Sequence, residues 1–207
     1  ANTRVANPDA TWLLPDDYHG GRLAATHLLR SGRRRIAHIT GPAHWEAVRH
    51  RSDALAAVLA EHGLPLPEHR VLHGSWQEAW GYEAVGCVLE RDPRVDAIFC
   101  GSDLIARGAM DGLRERGRTI PEDVAVVGFD NWEILASAAR PPLTTVDPNL
   151  HEVGRAASAR LLAMLEGEDG AGGVRLPCQL VVRASSSGFH SDGGRDRAGG
   201  DEAWPRS

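Results

Sequence analysis

The amino-acid sequence predicts an α/β fold with a doubly wound parallel sheet. From Gly20 onward, short apolar runs rich in β-branched residues alternate with longer stretches in which apolar residues recur every three or four positions. Gly63, Gly101 and Gly117 interrupt the pattern where one element would end and the next begin. Such an alternation of strands and helices is typical of βα units around a parallel sheet.

The predicted elements follow one another in a regular order. Four apolar runs predict buried strands, at residues 35–40, 70–73, 96–100 and 124–129. Three stretches between them each carry one apolar stripe at helical spacing, at residues 23–28, 55–62 and 105–113. After a proline-rich loop, the pattern predicts a strand at 143–146, a long helix at 150–166 and a strand at 179–183.

The composition excludes several classes of protein. A hydrophobic fraction of 42% and a charged fraction of 25% are near the averages of soluble globular proteins, and no apolar run is long enough to span a membrane. A formal net charge of -5 argues against a surface built mainly to bind nucleic acid. Cys87, Cys100 and Cys178 show no CxxC pairing, so we expect reduced thiols in a cytoplasmic protein.

The two ends of the sequence also carry expectations. The chain starts with neither Met nor a signal peptide, which indicates a C-terminal piece of a longer protein. Residues 187–207 are rich in Gly, Asp and Arg and contain almost no aliphatic residues, so we expect them to be disordered.

Asp130 is the strongest candidate for a binding residue. It follows the apolar segment 124–129, and in open parallel sheets ligands bind beyond the carboxyl ends of the strands. A turn former or a helix N-cap explains an aspartate at this position equally well. Ser102 and Asp103 follow the strand at 96–100 in the same way, and helix capping is the favoured interpretation of Asp103.

Trp76 and Arg51 extend the candidate site. Trp76 lies between a predicted strand and a predicted helix, where an indole ring suits stacking on a sugar. A loop tryptophan that covers the sheet edge is the alternative. Arg49 and Arg51 stand at the predicted start of a helix, where a cation opposes the helix dipole, so hydrogen bonding to a ligand gives a reason for them. A solvated surface arginine is the alternative there.

The remaining patterns indicate no chemistry. Arg33-Arg34-Arg35 falls in a turn without neighbouring aromatic residues, so we interpret this basic run as solvated rather than as a phosphate contact. The ten histidines show no metal-ligand spacing. The sequence contains no recognisable nucleotide-binding loop, nucleophile elbow or catalytic triad. We therefore expect no metal, no cofactor and no enzymatic activity.

Several stretches in order along the chain carry a family resemblance. Near the start they are Asp16-Asp17-Tyr18-His19-Gly20-Gly21, His27-Leu28-Leu29-Arg30-Ser31-Gly32 and Ile36-Ala37-His38-Ile39-Thr40-Gly41-Pro42. Further stretches are residues 99–110, 120–131, 141–147, 176–177 and 180–183. Together they resemble the LacI/GalR family of bacterial transcription regulators over nearly all of residues 13–186.

This resemblance implies a periplasmic-binding-protein-like type I core, in which two similar lobes are joined by three crossover strands. Residues 15–146 would form the C-terminal effector-binding lobe, completed by 177–186 as its last strand. Residues 1–14 would be the end of the N-terminal lobe with the first crossover, and 147–176 a helix of that lobe, most of which is missing. Operator DNA binding is implied for the missing N-terminal domain only.

The resemblance also implies site residues. The family's effector contacts carry over onto Asp130, Arg51 and Trp76, and more weakly onto Ser102. Two positions depart from the family pattern, because Ala54 stands where the family usually has Gly and Pro148 stands where many members carry a ligand-facing Gln.

Together these observations predict the effector-binding and dimerisation part of a cytoplasmic LacI-type repressor, with a monosaccharide or related polyol as effector. The implied homodimer would form through helices at 77–91 and 104–116, where Trp80, Tyr82 and Met110 offer apolar surface unless they belong to the core. Two other classes stay open, a periplasmic sugar-binding protein of a transporter and an α/β enzyme that uses the same strand-end cleft.

Overall fold

The computed structural model describes residues 10–167 and 172–187. The strands within them are β1 (Trp12–Pro15), β2 (Ile36–Thr40), β3 (Val71–His73), β4 (Ala97–Cys100), β5 (Ala125–Phe129), β6 (Thr144–Asp147), β7 (Gly173–Leu176) and β8 (Gln179–Val181). The helices are α1 (Asp17–Arg30), α2 (Glu46–Glu61), α3 (Glu78–Arg91), α4 (Asp103–Glu115), α5 (Glu133–Ala136) and α6 (Leu150–Leu165). The predicted disordered tail, apart from Ser187, lies outside the described residues. No helix in the described part is long and apolar enough to cross a membrane.

Six strands form the central sheet in the order β3-β2-β4-β5-β6-β8. The first five run parallel, which confirms the predicted α/β fold with a mostly parallel sheet. β8 is antiparallel to β6, a pairing that the sequence pattern did not indicate. The strand order changes direction between β2 and β4, and in open α/β sheets such a switch point opens a crevice at the carboxyl ends of the strands.

Helices cover both faces of the central sheet. Strand residues alternate between two hydrophobic clusters, so that Ile98 and Val126 pack with residues of α3 and α4, while Phe99 and Val127 pack with residues of α1 and α2. Every residue of β2, β4 and β5 is buried. Burial on both faces explains why these strands read as continuous apolar runs rather than as alternating ones.

A second, two-stranded sheet pairs β1 with β7 in parallel, and α6 packs beside β1. The sequence pattern predicted α6 but neither of these strands. No residue of α6 is buried, and Leu161, Leu162 and Leu165 are exposed by 58%, 61% and 76%. β1 and β7 form a sheet separate from the central one. Nearly all of their residues and those of α6 fall in the segments assigned to the other lobe, and the division into lobes stays a prediction.

The interpretation of Arg33 as a solvated turn residue is wrong. Its side chain is 5% exposed and donates hydrogen bonds to the carbonyl oxygens of Pro121 (2.5 Å) and Glu122 (3.3 Å). The guanidinium group satisfies two backbone acceptors of a neighbouring turn, one of them buried, which offsets the cost of its own desolvation.

The apolar surface predicted for dimerisation is also largely absent. Met110 is 1% exposed, and Trp80 packs against the same core cluster while its indole N–H donates to the carbonyl oxygen of Thr40 (3.0 Å). Tyr82 is half-buried, and its hydroxyl donates to Glu115 (2.5 Å). The core interpretation therefore holds for Met110 and Trp80.

α3 and α4 pack against each other at glycine positions. A Cβ atom added at Gly81 would lie 2.0 Å from the carbonyl oxygen of Ile105, and one added at Gly108 would lie 1.8 Å from that of Glu78. Because both neighbours are backbone atoms, neither contact is relieved by a side-chain rotation. The two helices approach this closely only because these positions lack side chains.

We expect Gly108→Ala to lower the free energy of unfolding by at least about 1–3 kcal/mol, because the added methyl group forces the two backbones apart. Gly154→Ala is the matched control, since Gly154 lies in α6 with nothing within 4 Å of the added Cβ. Gly154→Ala should raise the free energy of unfolding by about 0.5–1 kcal/mol, because alanine is more favourable than glycine inside a helix. Urea denaturation measures both changes, and shifts of equal sign would contradict this account of the helix pair.

Candidate functional site

A cavity of about 330 Å³ opens at the carboxyl ends of the central strands. The four residues predicted from the sequence, Arg51, Trp76, Ser102 and Asp130, all line it. They come from α2, the segment after β3, the segment after β4 and the segment after β5. The fold therefore brings together four residues that are up to 79 positions apart in the sequence, while their role in binding stays a prediction.

Asp130 directly follows β5 and has an unusual backbone conformation. Its φ angle is 118° and that of Asn131 is 49°, in a region that L-residues rarely adopt. Two such residues in succession cost on the order of 1–3 kcal/mol each, and strain of this kind is concentrated at functional sites. Asp130 does not cap a helix, because Trp132 occupies the N-cap position of α5. It turns the chain and also lines the cavity, so the turn-former and binding interpretations are compatible.

The carboxyl group of Asp130 titrates near neutrality. Burial raises its pKa to about 7, the nearby guanidinium of Arg51 opposes that rise, and the carboxylates of Asp103 and Asp17 add to it. A cavity-lining carboxyl group with a strongly raised pKa is a candidate functional group on physical grounds.

Arg51 is buried rather than solvated. It lies in the second turn of α2, not at the helix start, and is 8% exposed. Its Nε and Nη2 atoms donate to Oδ1 of Asp17 (2.9 and 2.6 Å), and Nη1 donates to the carbonyl oxygen of Gly101 (2.5 Å). The guanidinium carbon lies 3.4 Å from the centroid of the Phe129 ring. Of the five N–H groups of the guanidinium, these bonds use three.

Asp17 is a framework residue that the sequence reasoning did not assign. It is the first residue of α1, is 4% exposed, and receives the two hydrogen bonds from Arg51. The preceding Asp16 caps the helix by accepting from the N–H of His19 (2.9 Å). The sequence did contain a signal for this role. Asp16 already caps the helix, so the adjacent Asp17 is not needed as a cap and could have been assigned another partner.

Two glycines let α1 approach this ion pair. A Cβ atom added at Gly20 would lie 2.8 Å from the ring of Phe129, and one added at Gly21 would lie 2.8 Å from the Cβ of Ala54.

The two departures from the family pattern have different surroundings. Ala54 faces Gly21 on the neighbouring helix. Pro148, the other departure, is buried and is not among the residues that line the cavity.

Ser102, rather than Asp103, caps α4. The Ser102 hydroxyl accepts from the N–H of Ile105 (3.2 Å), so the capping role expected for Asp103 is wrong. Asp103 is 0% exposed and accepts from the hydroxyl of Thr145 (2.5 Å) and from the N–H of Trp132 (2.8 Å). Burial raises its pKa to about 6. Asp103 therefore holds the chain segment that follows Asp130.

Gly128 makes room for this buried carboxylate. A Cβ atom added at Gly128 would lie 2.4 Å from Oδ1 of Asp103. Gly128 in β5 and Asp103 in α4 are therefore neighbours in the fold, although they are far apart in the sequence and no sequence pattern links them.

Trp76 packs its ring over Gly41, where an added Cβ atom would lie 2.3 Å from the indole. Its ring also meets that of Trp45 edge to face, with centroids 5.8 Å apart and an interplanar angle of 73°. Trp76 is half-buried and packs against the core as well as lining the cavity, so both interpretations of this residue apply.

Four lining residues were missed by the sequence reasoning: Trp45, Ala47, Leu104 and Trp132. Trp45 and Trp132 each precede a helix in a segment that follows a strand, as Trp76 does, and that shared placement was the available signal. Among the described residues, no group of three or more His, Cys, Asp or Glu side chains is arranged to hold a metal ion.

Comparisons with known proteins agree with this architecture. The family described as periplasmic binding protein-like domain matches residues 25–186. The transcriptional regulator CelR of Thermobifida fusca is 38% identical over 153 residues, which cover 74% of this chain and 45% of CelR. The repressor CytR of Escherichia coli is 31% identical over 164 residues, which cover 79% of this chain and 48% of CytR. The chain spans about half the length of the curated relatives that it matches.

Solved structures give the same result. A CelR–cellobiose complex superposes with a TM-score of 0.77 at 34% identity, covering 87% of this chain and 55% of that one. A LacI-type regulator from Bacillus cereus superposes with a TM-score of 0.81 at 29% identity, covering 90% of this chain and 67% of that one. The chain therefore belongs to the periplasmic binding protein-like domain family and is homologous to the effector-binding domain of LacI-family transcriptional regulators.

Proposed function

We propose that this chain is the effector-binding part of a cytoplasmic LacI-type transcriptional repressor and that its strand-end cavity binds a small saccharide or a related polyol. The operator DNA would be bound by a part of the parent protein outside these residues. The matched relatives named above are transcriptional regulators, and the proposal assigns no catalytic step to the chain. The relative solved as a cellobiose complex supports a saccharide as the ligand class.

The observation that carries the proposal is the meeting of Asp130, Arg51 and Trp76 in one cavity. A carboxylate and a guanidinium hold neighbouring hydroxyl groups with charge-assisted hydrogen bonds, each about 1.5–3 kcal/mol. An indole ring provides a flat apolar face for the CH groups of a sugar. Because Arg51 is already oriented by Asp17 and Gly101, little side-chain entropy is lost when it binds.

Regulation would follow from differential affinity. In the two-lobed arrangement implied for the parent protein, a ligand held between lobes stabilises the arrangement in which both lobes contact it. That shift changes the relative positions of the DNA-binding parts in a dimer, so effector affinity and operator affinity are thermodynamically coupled.

Asp130→Asn is expected to weaken saccharide binding by about 10- to 150-fold, because an amide replaces the charged partner of a ligand hydroxyl without a change of shape. Asparagine also has nearly the same shape as aspartate, so the strained backbone at this position need not change. Asp111→Asn, at an exposed residue that does not line the cavity, is the matched control. Isothermal titration calorimetry against a sugar panel measures both, and unchanged affinity in the Asp130 variant would refute the assignment.

Saccharide affinity is expected to depend on pH through Asp130. A ligand hydroxyl that donates to the ionised carboxylate lowers its pKa, so binding is strongest above pH 7 and weakens by up to tenfold per unit as the pH falls below about 7. Burial and the nearby charges of Arg51, Asp103 and Asp17 determine the pKa of the Asp130 carboxyl group before a ligand binds. Titrations between pH 8 and 5.5 check the trend. The Asp130→Asn variant should show a flat profile over the range pH 6.5–8, and a wild-type profile that is equally flat would exclude this linkage.

We also propose a homodimer, as expected for the family. Because Met110 is buried and Trp80 is half-buried against the core, the contact would have to involve the more polar outer faces of α3 and α4. Sedimentation equilibrium at about 50 μM should then give twice the chain mass of 22.3 kDa. A monomeric mass at that concentration would contradict the proposal that this chain forms a homodimer.

A further inference from the structure

The aromatic lining of the candidate cavity extends along the edge of the sheet. Trp76 follows β3, Trp45 follows β2, and Trp132 follows β5. In the sheet order β3 and β2 are neighbours, whereas β5 lies two strands beyond β2. With neighbouring strands about 4.8 Å apart, the distance from β2 to β5 is about 10 Å. The strands that Trp45 and Trp132 follow are therefore spaced more widely than the width of a single pyranose ring.

Trp45 and Trp132 occupy positions that helix formation does not favour for tryptophan. Each is the N-cap residue of a helix, and neither side chain makes a capping hydrogen bond. Ser, Thr, Asp and Asn are preferred there, by about 1 kcal/mol over residues that cannot cap. Helix capping therefore gives no reason for an indole at either position. The ring of Trp45 packs edge to face on that of Trp76, whereas contact with a ligand accounts for the exposed ring of Trp132.

Trp132 is also unusually exposed for its size. Its side chain is 53% exposed, although its backbone N–H is held by Asp103 (2.8 Å). The half-buried pair Trp45 and Trp76 lies deeper, so the aromatic surface continues from the interior of the cavity to its rim. An aromatic side chain at the rim, on a rigidly held backbone, suits stacking on a part of the ligand that extends outward.

The described lining supplies polar groups for the hydroxyl groups of one ring. Besides the five apolar residues, the described residues that line the cavity are Arg51, Ser102 and Asp130. One carboxylate and one guanidinium serve the hydroxyl groups of one ring. The remaining lining offers apolar contact, which matches the CH face of a second ring and does not match a phosphate group, since Arg51 is the single cation among these residues.

We propose that the effector contains at least two pyranose rings, of which one is held by Asp130 and Arg51 and the next stacks on Trp132. This inference rests on the proposed function, because it assumes that the cavity binds a saccharide. It replaces the monosaccharide expected from the sequence with a disaccharide or a longer saccharide. Trp132 is then a specificity-determining residue that selects for the second ring.

Calorimetric titration of the chain with glucose, galactose, cellobiose and maltose tests the inference. At least one disaccharide should bind ten times or more as tightly as its component monosaccharides. Trp132→Ala should weaken disaccharide binding by at least tenfold and change monosaccharide binding by less than twofold, whereas Asp130→Asn should weaken both. Ile134→Ala is the matched control, because Ile134 is 84% exposed, lies two residues further along and does not line the cavity.

The results distinguish the proposal of a second-ring site from the proposal that the cavity binds a saccharide. Equal affinity for mono- and disaccharides, or an equal loss of both in Trp132→Ala, would overturn the second-ring site and leave the saccharide function standing. Absence of binding by every sugar tested would overturn both. Trp132→Phe, which keeps a ring, should retain most of the disaccharide affinity, and circular dichroism establishes that each variant is folded.

Discussion

The ion pair between Arg51 and Asp17 is the interaction on which the cavity depends. It joins α1 to α2, and the same guanidinium reaches the backbone after β4 at Gly101 and the ring of Phe129 at the end of β5. Two charges removed from water cost several kcal/mol each unless hydrogen bonds satisfy them, and here four structural elements supply the contacts. Loss of one partner would leave the other buried and unpaired. The orientation of the Arg51 guanidinium and the packing of the surrounding elements are therefore inseparable.

A second constraint acts on the segment after β5. Asp103 accepts from Thr145 and Trp132 inside the protein, and Gly128 leaves the space that its carboxylate occupies. These bonds hold the chain in a path where consecutive residues adopt positive φ angles. Asp130 consequently lines the cavity from a rigid backbone. The conformational entropy of this segment is lost on folding, so less would be lost when a ligand binds.

The sequence predicted the central sheet well because each of its inner strands is buried on both faces and reads as an apolar run. It failed where the pattern is weak: β1 and β7 are short and partly exposed, and the antiparallel direction of β8 leaves no trace in residue periodicity. Asp130, Ser102 and Trp76 were found because parallel topology places the carboxyl ends of strands together, whereas Trp45 and Trp132, which also follow strands, were missed. Asp17 and the pairing of Asp103 with Gly128 were missed, since they depend on contacts between distant segments that spacing along the chain does not encode.

Asp103 holds the backbone of Trp132, not its side chain. The Trp132 side chain, which would recognise the outer part of a ligand, is thus not among the groups that keep the cavity in shape. Exchange of one rim side chain can change which molecule is recognised without a large penalty in stability. Such a division makes the domain evolvable, and it offers a starting point for redesigned biosensors in which the rim is varied while the buried framework is left intact.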